Sequence, residues 1–185
     1  MPISLWGGGC IVPPPATGYH LPLSRQRRPY RLPREQYRGA KTVAFTLCCE
    51  DRVPLFKNEK VVRDLVAILQ AEIPKHGCRC PIYCFMPDHI HLLINGLNED
   101  ADLLTPIERF KTRAGILLAM LKAPGKLQSS FYDHIVRNSD DWRSQAQYIA
   151  LNPVRAGFVE NPLEYPYTGV IGENRQEMLL SIFHG

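Results

Sequence analysis

The 185-residue sequence has no long apolar run: no stretch approaches the roughly 18 to 20 uncharged apolar residues that a membrane span needs. Its first residues, MPISLWGGGCIVPPP, carry neither a basic leading segment nor a sustained apolar core, so no secretory signal is expected and the expected location is the cytoplasm, without a membrane partner. No CxxC pair occurs among the six cysteines (Cys10, Cys48, Cys49, Cys78, Cys80, Cys84). Cys48 and Cys49 would point to opposite faces of a strand. Reduced, mostly buried thiols are therefore expected rather than a zinc centre or a disulfide framework. There is no internal repeat, which excludes solenoid and collagen-like architectures. The charge excess is small, 22 Lys and Arg against 18 Asp and Glu, a net +4 that permits a nucleic-acid partner without requiring one.

What is present reads as one compact domain with an appended arm. Apolar residues make up 45% and charged residues 22%, enough to bury a core. Residues 1–40 stand apart. Pro13, Pro14, Pro15, Pro22, Pro29 and Pro33 interrupt any helix or ladder. Arg25, Arg27, Arg28, Arg31, Arg34 and Arg38 cluster around a single acid, Glu35. We expect a flexible basic arm over 1–40, with a solvated extension as the plain alternative for residues 1–24. A domain over 41–169 and a tail over 170–185 follow.

Within the domain, Val43, Phe45 and Leu47 alternate in a strand from Lys41 to Cys49. Val61, Val62, Leu65, Val66, Leu69 and Ile73 fall at helical spacing between Asn58 and Pro74, with Asn58 a suitable N-cap. Arg79 to Met86 and His89 to Asn95 read as strands joined by a Pro87-Asp88 turn. A helix is expected over Thr105 to Leu121, a short strand over Phe131 to Val136, and a third helix over Asp140 to Leu151. The order β-α-β-β-α-β plus a helix is the α+β, ferredoxin-like split βαβ pattern, a fold that does not itself name a function. Val154 to Gly185 is expected to be irregular, apart from a short helix near Gln176 to Phe183.

Two segments carry chemistry. In Met86-Pro87-Asp88-His89-Ile90-His91-Leu92-Leu93-Ile94, strand alternation sets His89 and His91 on one face and Ile90, Leu92 and Ile94 on the other. Two imidazoles side by side can chelate one divalent ion. They can equally be ordinary core or surface histidines, because so short a motif arises often by chance. In Tyr148-Ile149-Ala150-Leu151-Asn152, helical spacing projects Tyr148 and Asn152 together. A phenol beside a neutral amide oxygen suits a metal-assisted nucleophile. Spacing alone favours the plainer alternative, in which Asn152 ends the helix before Pro153 and Tyr148 packs in the core.

Together, the first segment and Tyr148-Ile149-Ala150-Leu151-Asn152-Pro153-Val154-Arg155-Ala156-Gly157 resemble the Y1 HUH transposases of the IS200 type, and most narrowly the REP-associated tyrosine transposases. The similarity runs from about Arg28 to Gly169 and takes in Phe131-Tyr132-Asp133-His134, Ile135-Val136-Arg137 and Tyr165-Pro166-Tyr167. It departs from the family at Ala150, often polar there, at Leu127, often aromatic, and at Tyr167, often Trp. The resemblance implies that His89 and His91 are the metal pair, Asn152 the third ligand and Tyr148 the nucleophile. It implies Mg²⁺ or Mn²⁺ as cofactor, single-stranded or hairpin DNA as substrate, a homodimer, and no need of ATP. DNA capture is expected from Arg25, Arg27, Arg28, Arg31, Arg34, Arg38, Lys111, Arg113 and Arg155, since arginine suits phosphates and base edges. Arg137 and Arg143 are expected to help. Lys111 and Arg113 read equally well as a solvated helix face.

Overall fold

The computed structural model describes residues 32–184. Among the described residues, five strands and five α-helices follow in order: β1 (Thr42–Cys48), α1 (Glu59–Glu72), β2 (Cys78–Met86), β3 (His89–Gly96), α2 (Thr105–Met120), β4 (Tyr132–Val136), α3 (Ser139–Ala150), α4 (Asn152–Arg155), β5 (Thr168–Ile171) and α5 (Arg175–His184). The strands form one antiparallel sheet in the order β4-β1-β3-β2-β5. The first four give the expected split βαβ arrangement.

Local chemistry starts and stops these elements. Asn58 Oδ1 accepts the Val61 backbone N–H at 3.3 Å and opens α1, which buries Val61, Val62, Leu65, Ile68 and Leu69. Asp102 Oδ1 accepts from the backbone of Leu104 and Thr105 ahead of α2, whose first turn holds Pro106. Asn138 caps α3, with Oδ1 accepting the Asp141 N–H at 2.8 Å.

Both faces of the sheet are covered. On one, Val43, Phe45, Leu47, Phe85, Ile90, Leu92 and Ile94 pack with α1 and with Ile107, Phe110, Ala114 and Leu118 of α2. On the other, Ala44, Ile82, Cys84, Met86 and Leu93 pack with Ala146, Ile149 and Ala150 of α3 and with Leu179 and Ile182 of α5. Cys48, Cys49, Cys78, Cys80 and Cys84 are free and buried, and burial pushes the Cys49 and Cys84 thiols up to about 12.

The structure departs from expectation at both ends of the domain. Residues 34–37 form a 3₁₀ turn that buries Tyr37 completely, stacked on Phe45 at 6.2 Å with its hydroxyl donating to Asp133 Oδ2 at 3.1 Å. The last part of the expected arm thus packs on the domain, while residues 1–31 lie outside the described residues. In the expected irregular tail, β5 pairs with β2, Cys84 opposite Thr168 and Tyr83 opposite Gly169. At Gly169 a Cβ would stand 2.3 Å from the Tyr83 hydroxyl, so only glycine lets that ring cross the strand. Four residues with a central glycine carry little strand signal of their own, and the strand owes its existence to a free sheet edge. Among the described residues, no helix is long and apolar enough to cross a membrane.

Glu72, on α1, is 5% exposed and pairs with Arg113 of α2 and with Lys75 at 3.3 Å. Burial pushes its carboxyl up, but the two cations outweigh burial and hold it below the ordinary carboxylate range. A carboxyl depressed by folding stabilises the fold above its unfolded pKa and stops doing so below its folded one. Arg113→Gln is therefore expected to lower the urea midpoint at neutral pH, and the gap from the parent protein should close as the pH falls through the carboxylate range.

Candidate active site

The imidazoles of His89 and His91 stand on the same face of β3, the central strand, as the residue period requires. Their Nε2 atoms face each other at 3.1 Å, and the rings meet edge to face at 4.8 Å between centroids. His89 Nδ1 lies 2.6 Å from Asp88 Oδ1, and Asp88 Oδ2 takes Arg52 Nη1 at 3.0 Å. Burial would raise the Asp88 carboxyl, but the His89 ring and the Arg52 guanidinium outweigh it and hold the group low. The turn bearing Asp88 is pinned by backbone bonds from Cys49 N to Asp88 O at 2.9 Å and from Phe56 N to Pro87 O at 3.0 Å. His91 Nδ1 lies 3.0 Å from the hydroxyl of Thr46, its register partner on β1.

The contact with Asp88 assigns the tautomer of His89. A carboxylate at His89 Nδ1 draws the ring proton there and turns the Nε2 lone pair toward His91. The Thr46 hydroxyl both donates and accepts, so it serves His91 with its proton on either nitrogen. With the proton on Nε2, the pair makes a hydrogen bond. With it on Nδ1, two lone pairs converge, and their 3.1 Å separation matches the roughly 3 Å between adjacent ligands held at about 2.1 Å from one cation. The pair fits a divalent ion. Among the described residues, no three His, Cys, Asp or Glu side chains gather in such a geometry.

Tyr148, on α3, sets its ring edge to face against His91 of its own chain, 5.8 Å between centroids. Arg155, at the end of α4, lays its guanidinium 4.2 Å over that ring and also donates to the Tyr148 carbonyl. Asn152 opens α4 one turn on, and its Nδ2 donates to the same carbonyl at 2.9 Å. Committing the amide nitrogen leaves Oδ1, the atom a hard cation takes. The helix thus ends at Ala150, with Leu151 between it and α4, and Tyr148 packs against the sheet.

The expected DNA-binding residues are dispersed. Arg25, Arg27, Arg28 and Arg31 lie outside the described residues. Arg34 and Arg38 are exposed and pair at 3.2 Å with Glu108 and with Asp102. Lys111 reaches the Ser129 carbonyl at 2.5 Å and lies over the Phe131 ring, and Arg113 holds Glu72. These four belong to the α2 side of the sheet, away from the imidazoles. Arg155 alone of the described set stands beside them. Sequence reasoning missed Thr46, Arg52 and Asp88 as partners of the site. Asp88 adjoins the histidines and carried a signal, whereas Thr46 and Arg52 are reached only through tertiary structure.

Burial pushes the His91 imidazole down to about 3, helped by the charges of His89 and Arg155 and opposed by Asp88. An imidazole kept neutral is one ready to ligate. A histidine depressed on folding makes acid destabilising from its unfolded pKa of about 6.5 downward. NMR of the metal-free protein is expected to show His91 resonances that do not titrate between pH 8 and 5, and one that titrates near 6.5 would refute this account of the pocket.

Residues 40–133 match the family described as "Transposase IS200 like". A protein of Haemophilus influenzae described as a REP-associated tyrosine transposase is 24% identical over 135 residues, covering 67% of this chain and 76% of its relative. The REP-associated tyrosine transposase of Escherichia coli K12 is 37% identical over 83 residues, 45% of this chain and 48% of that one. Among solved structures, a REP-associated tyrosine transposase bound to a REP hairpin superimposes with a TM-score of 0.61 at 22% identity, over 75% of this chain and 80% of its own. That likeness extends to the fold, and the match along the sequence extends to kinship: the chain belongs to the IS200-like transposase family.

Proposed function

We propose that this chain cuts and rejoins single-stranded DNA near hairpins through a covalent link between Tyr148 and the DNA. The observation that carries the reading is the contact of the Tyr148 ring with His91, whose Nε2 faces that of His89 at 3.1 Å. The Tyr148 oxygen attacks the scissile phosphorus and gives up its proton. The bond to the 3′ oxygen breaks, which leaves a 5′-phosphotyrosine and a free 3′-hydroxyl. Exchange of one phosphodiester for another conserves the bond, so a second 3′-hydroxyl can reverse the step and join new ends without ATP.

A phenol is almost wholly protonated at neutral pH, its pKa being about 10, so attack needs help. Mg²⁺ or Mn²⁺, held by His89, His91 and Asn152, would supply charge to polarise the phosphate. Asp88 and Thr46 orient the two imidazoles for that task. Arg155 steadies the phenol ring and sets a cation beside the phosphate it attacks. The arginines of residues 25–38 supply positive charge for the DNA backbone.

Each protomer carries both halves of its own site, so the homodimer that the family resemblance implies serves to hold two DNA ends together.

Incubation with single-stranded hairpin DNA and Mg²⁺ or Mn²⁺ is expected to give a protein–DNA adduct that survives denaturation. Tyr148→Phe and chelation should each abolish it. Asp88→Asn and Thr46→Val should lower its rate or the metal affinity by about 10- to 100-fold. Retarded mobility with no adduct would overturn cutting and leave a hairpin-binding protein. Multiple-turnover hydrolysis that survives Tyr148→Phe would instead mark a phosphoesterase.

A further inference from the structure

We propose that the face of β4 beside the imidazoles, with the groove at its end, holds the unpaired nucleotides next to the bond that Tyr148 attacks. This rests on the strand-cutting reading above. Register sets the track. Thr46 pairs with His91 on one side and Tyr132 on the other, so Tyr132 shares the face of His91 two strand spacings away, about 10 Å. Ala44 likewise aligns His134 with Leu93, and Thr42 aligns Val136 with Asn95. Tyr132, His134 and Val136 therefore run along the sheet edge from the level of His91 to that of Asn95.

The helices cover Val136 but leave Tyr132 and His134 of this strip open. Ala146, Ile149 and Ala150 of α3 pack over Ile82, Cys84 and Leu93, toward the middle of the sheet. Tyr132 is 55% exposed and His134 is exposed. A large aromatic left to water on an edge strand, level with the imidazole pair, gains little from the fold.

The strip ends in a groove of about 460 Å³ lined by Lys41, Thr42, Val136, Arg137, Ser139 and Trp142, a volume that suits one nucleotide. Its described lining residues include two cations and no carboxylate. Lys41 and Arg137 are exposed. Trp142 is half-buried, and its indole N–H donates at 3.4 Å to Asn95 Oδ1, the oxygen that also accepts from Thr42 Oγ1 at 3.1 Å. The tether holds the ring in one orientation on the groove wall.

Trp142 precedes Tyr148 by six residues of the same helix, about 9 Å. Aromatic faces alternating with cations along a groove suit unpaired bases and their phosphates, whereas paired bases cannot offer their faces. A base stacks on Tyr132, a neighbouring one on Trp142, and the phosphates meet Lys41 and Arg137.

The test uses the full chain. Trp6 and Trp142 are the two tryptophans, so Trp6→Phe makes emission report on Trp142 alone. Tyr148→Phe is added so that binding is read without cutting. Oligothymidylate is expected to quench the emission saturably. Tyr132→Ala should weaken affinity about fivefold or more. Replacing Lys41 and Arg137 together by Gln should reduce the salt slope of log affinity by about 1.4, as for two phosphates of a single strand. Unchanged emission at saturating oligonucleotide, or an unaltered affinity in Tyr132→Ala together with an unaltered salt slope, overturns the track. Adduct formation by the chain that keeps Tyr148, without quenching in the reporter, refutes the track and leaves the cutting reading standing. Quenching without any adduct supports the track and refutes cutting.

Discussion

The two-residue period of β3 is the constraint on which the site depends. Ile90, Leu92 and Ile94 enter the core under α1 and α2, while His89, His91, Leu93 and Asn95 face α3. α1 and α2 cover one face of the sheet and α3 and α5 the other, so neither face of β3 offers an exposed alternative. Burial of each branched side chain is worth about 1.5–3 kcal/mol, and a slip of one residue would send all three isoleucine and leucine side chains to the wrong face. The apolar half of the strand thus holds the polar half in place. The two-residue turn at Pro87-Asp88 fixes the same register from the end of the hairpin.

Holding a histidine at 5% exposure costs solvation, and the structure offsets that cost with partners rather than with charge. Arg52, Asp88, His89, His91 and Thr46 form one continuous chain of contacts. Each link limits the next ring's rotation and tautomer. A neutral pair sharing a proton and a pair sharing a cation need almost the same ring positions, so such a chain would admit an ion at little reorganisation. Desolvation that keeps His91 neutral works in the same direction, because a proton and a metal compete for one lone pair.

Elements with a full apolar period of their own were legible before any coordinates. The strand expected over Lys41 to Cys49 is Thr42–Cys48, and the helix expected over Thr105 to Leu121 is Thr105–Met120. The shared face of His89 and His91 followed from alternation alone. What escaped depended on neighbours. β5 exists because β2 offers an edge, and the 3₁₀ turn at Arg34–Tyr37 is anchored by a single tyrosine inside an otherwise polar, arginine-rich run. Thr46 lies 45 residues from His91, and no local pattern announces that its hydroxyl meets an imidazole. The cations Arg34 and Arg113 were visible as charges, but the acids that engage them, Glu108 and Glu72, sit on elements that only packing brings together.

The position of the phenol is set by small residues. α3 presents Ala146 and Ala150, both fully buried, to Ile82, Cys84 and Leu93, with Ile149 between them. Two alanines on one helical face let the backbone approach the sheet closely, and the close approach is what brings a ring on the adjoining face within 5.8 Å of His91. Ala150 stands where the family often carries a polar side chain. Its methyl fills the contact without demanding a hydrogen bond. The same helix carries Trp142 at its other end, level with Asn95, while Tyr148 is level with His91. Because a helix resists stretching, its seating on the sheet governs the Tyr148 phenol and the groove wall as one rigid piece.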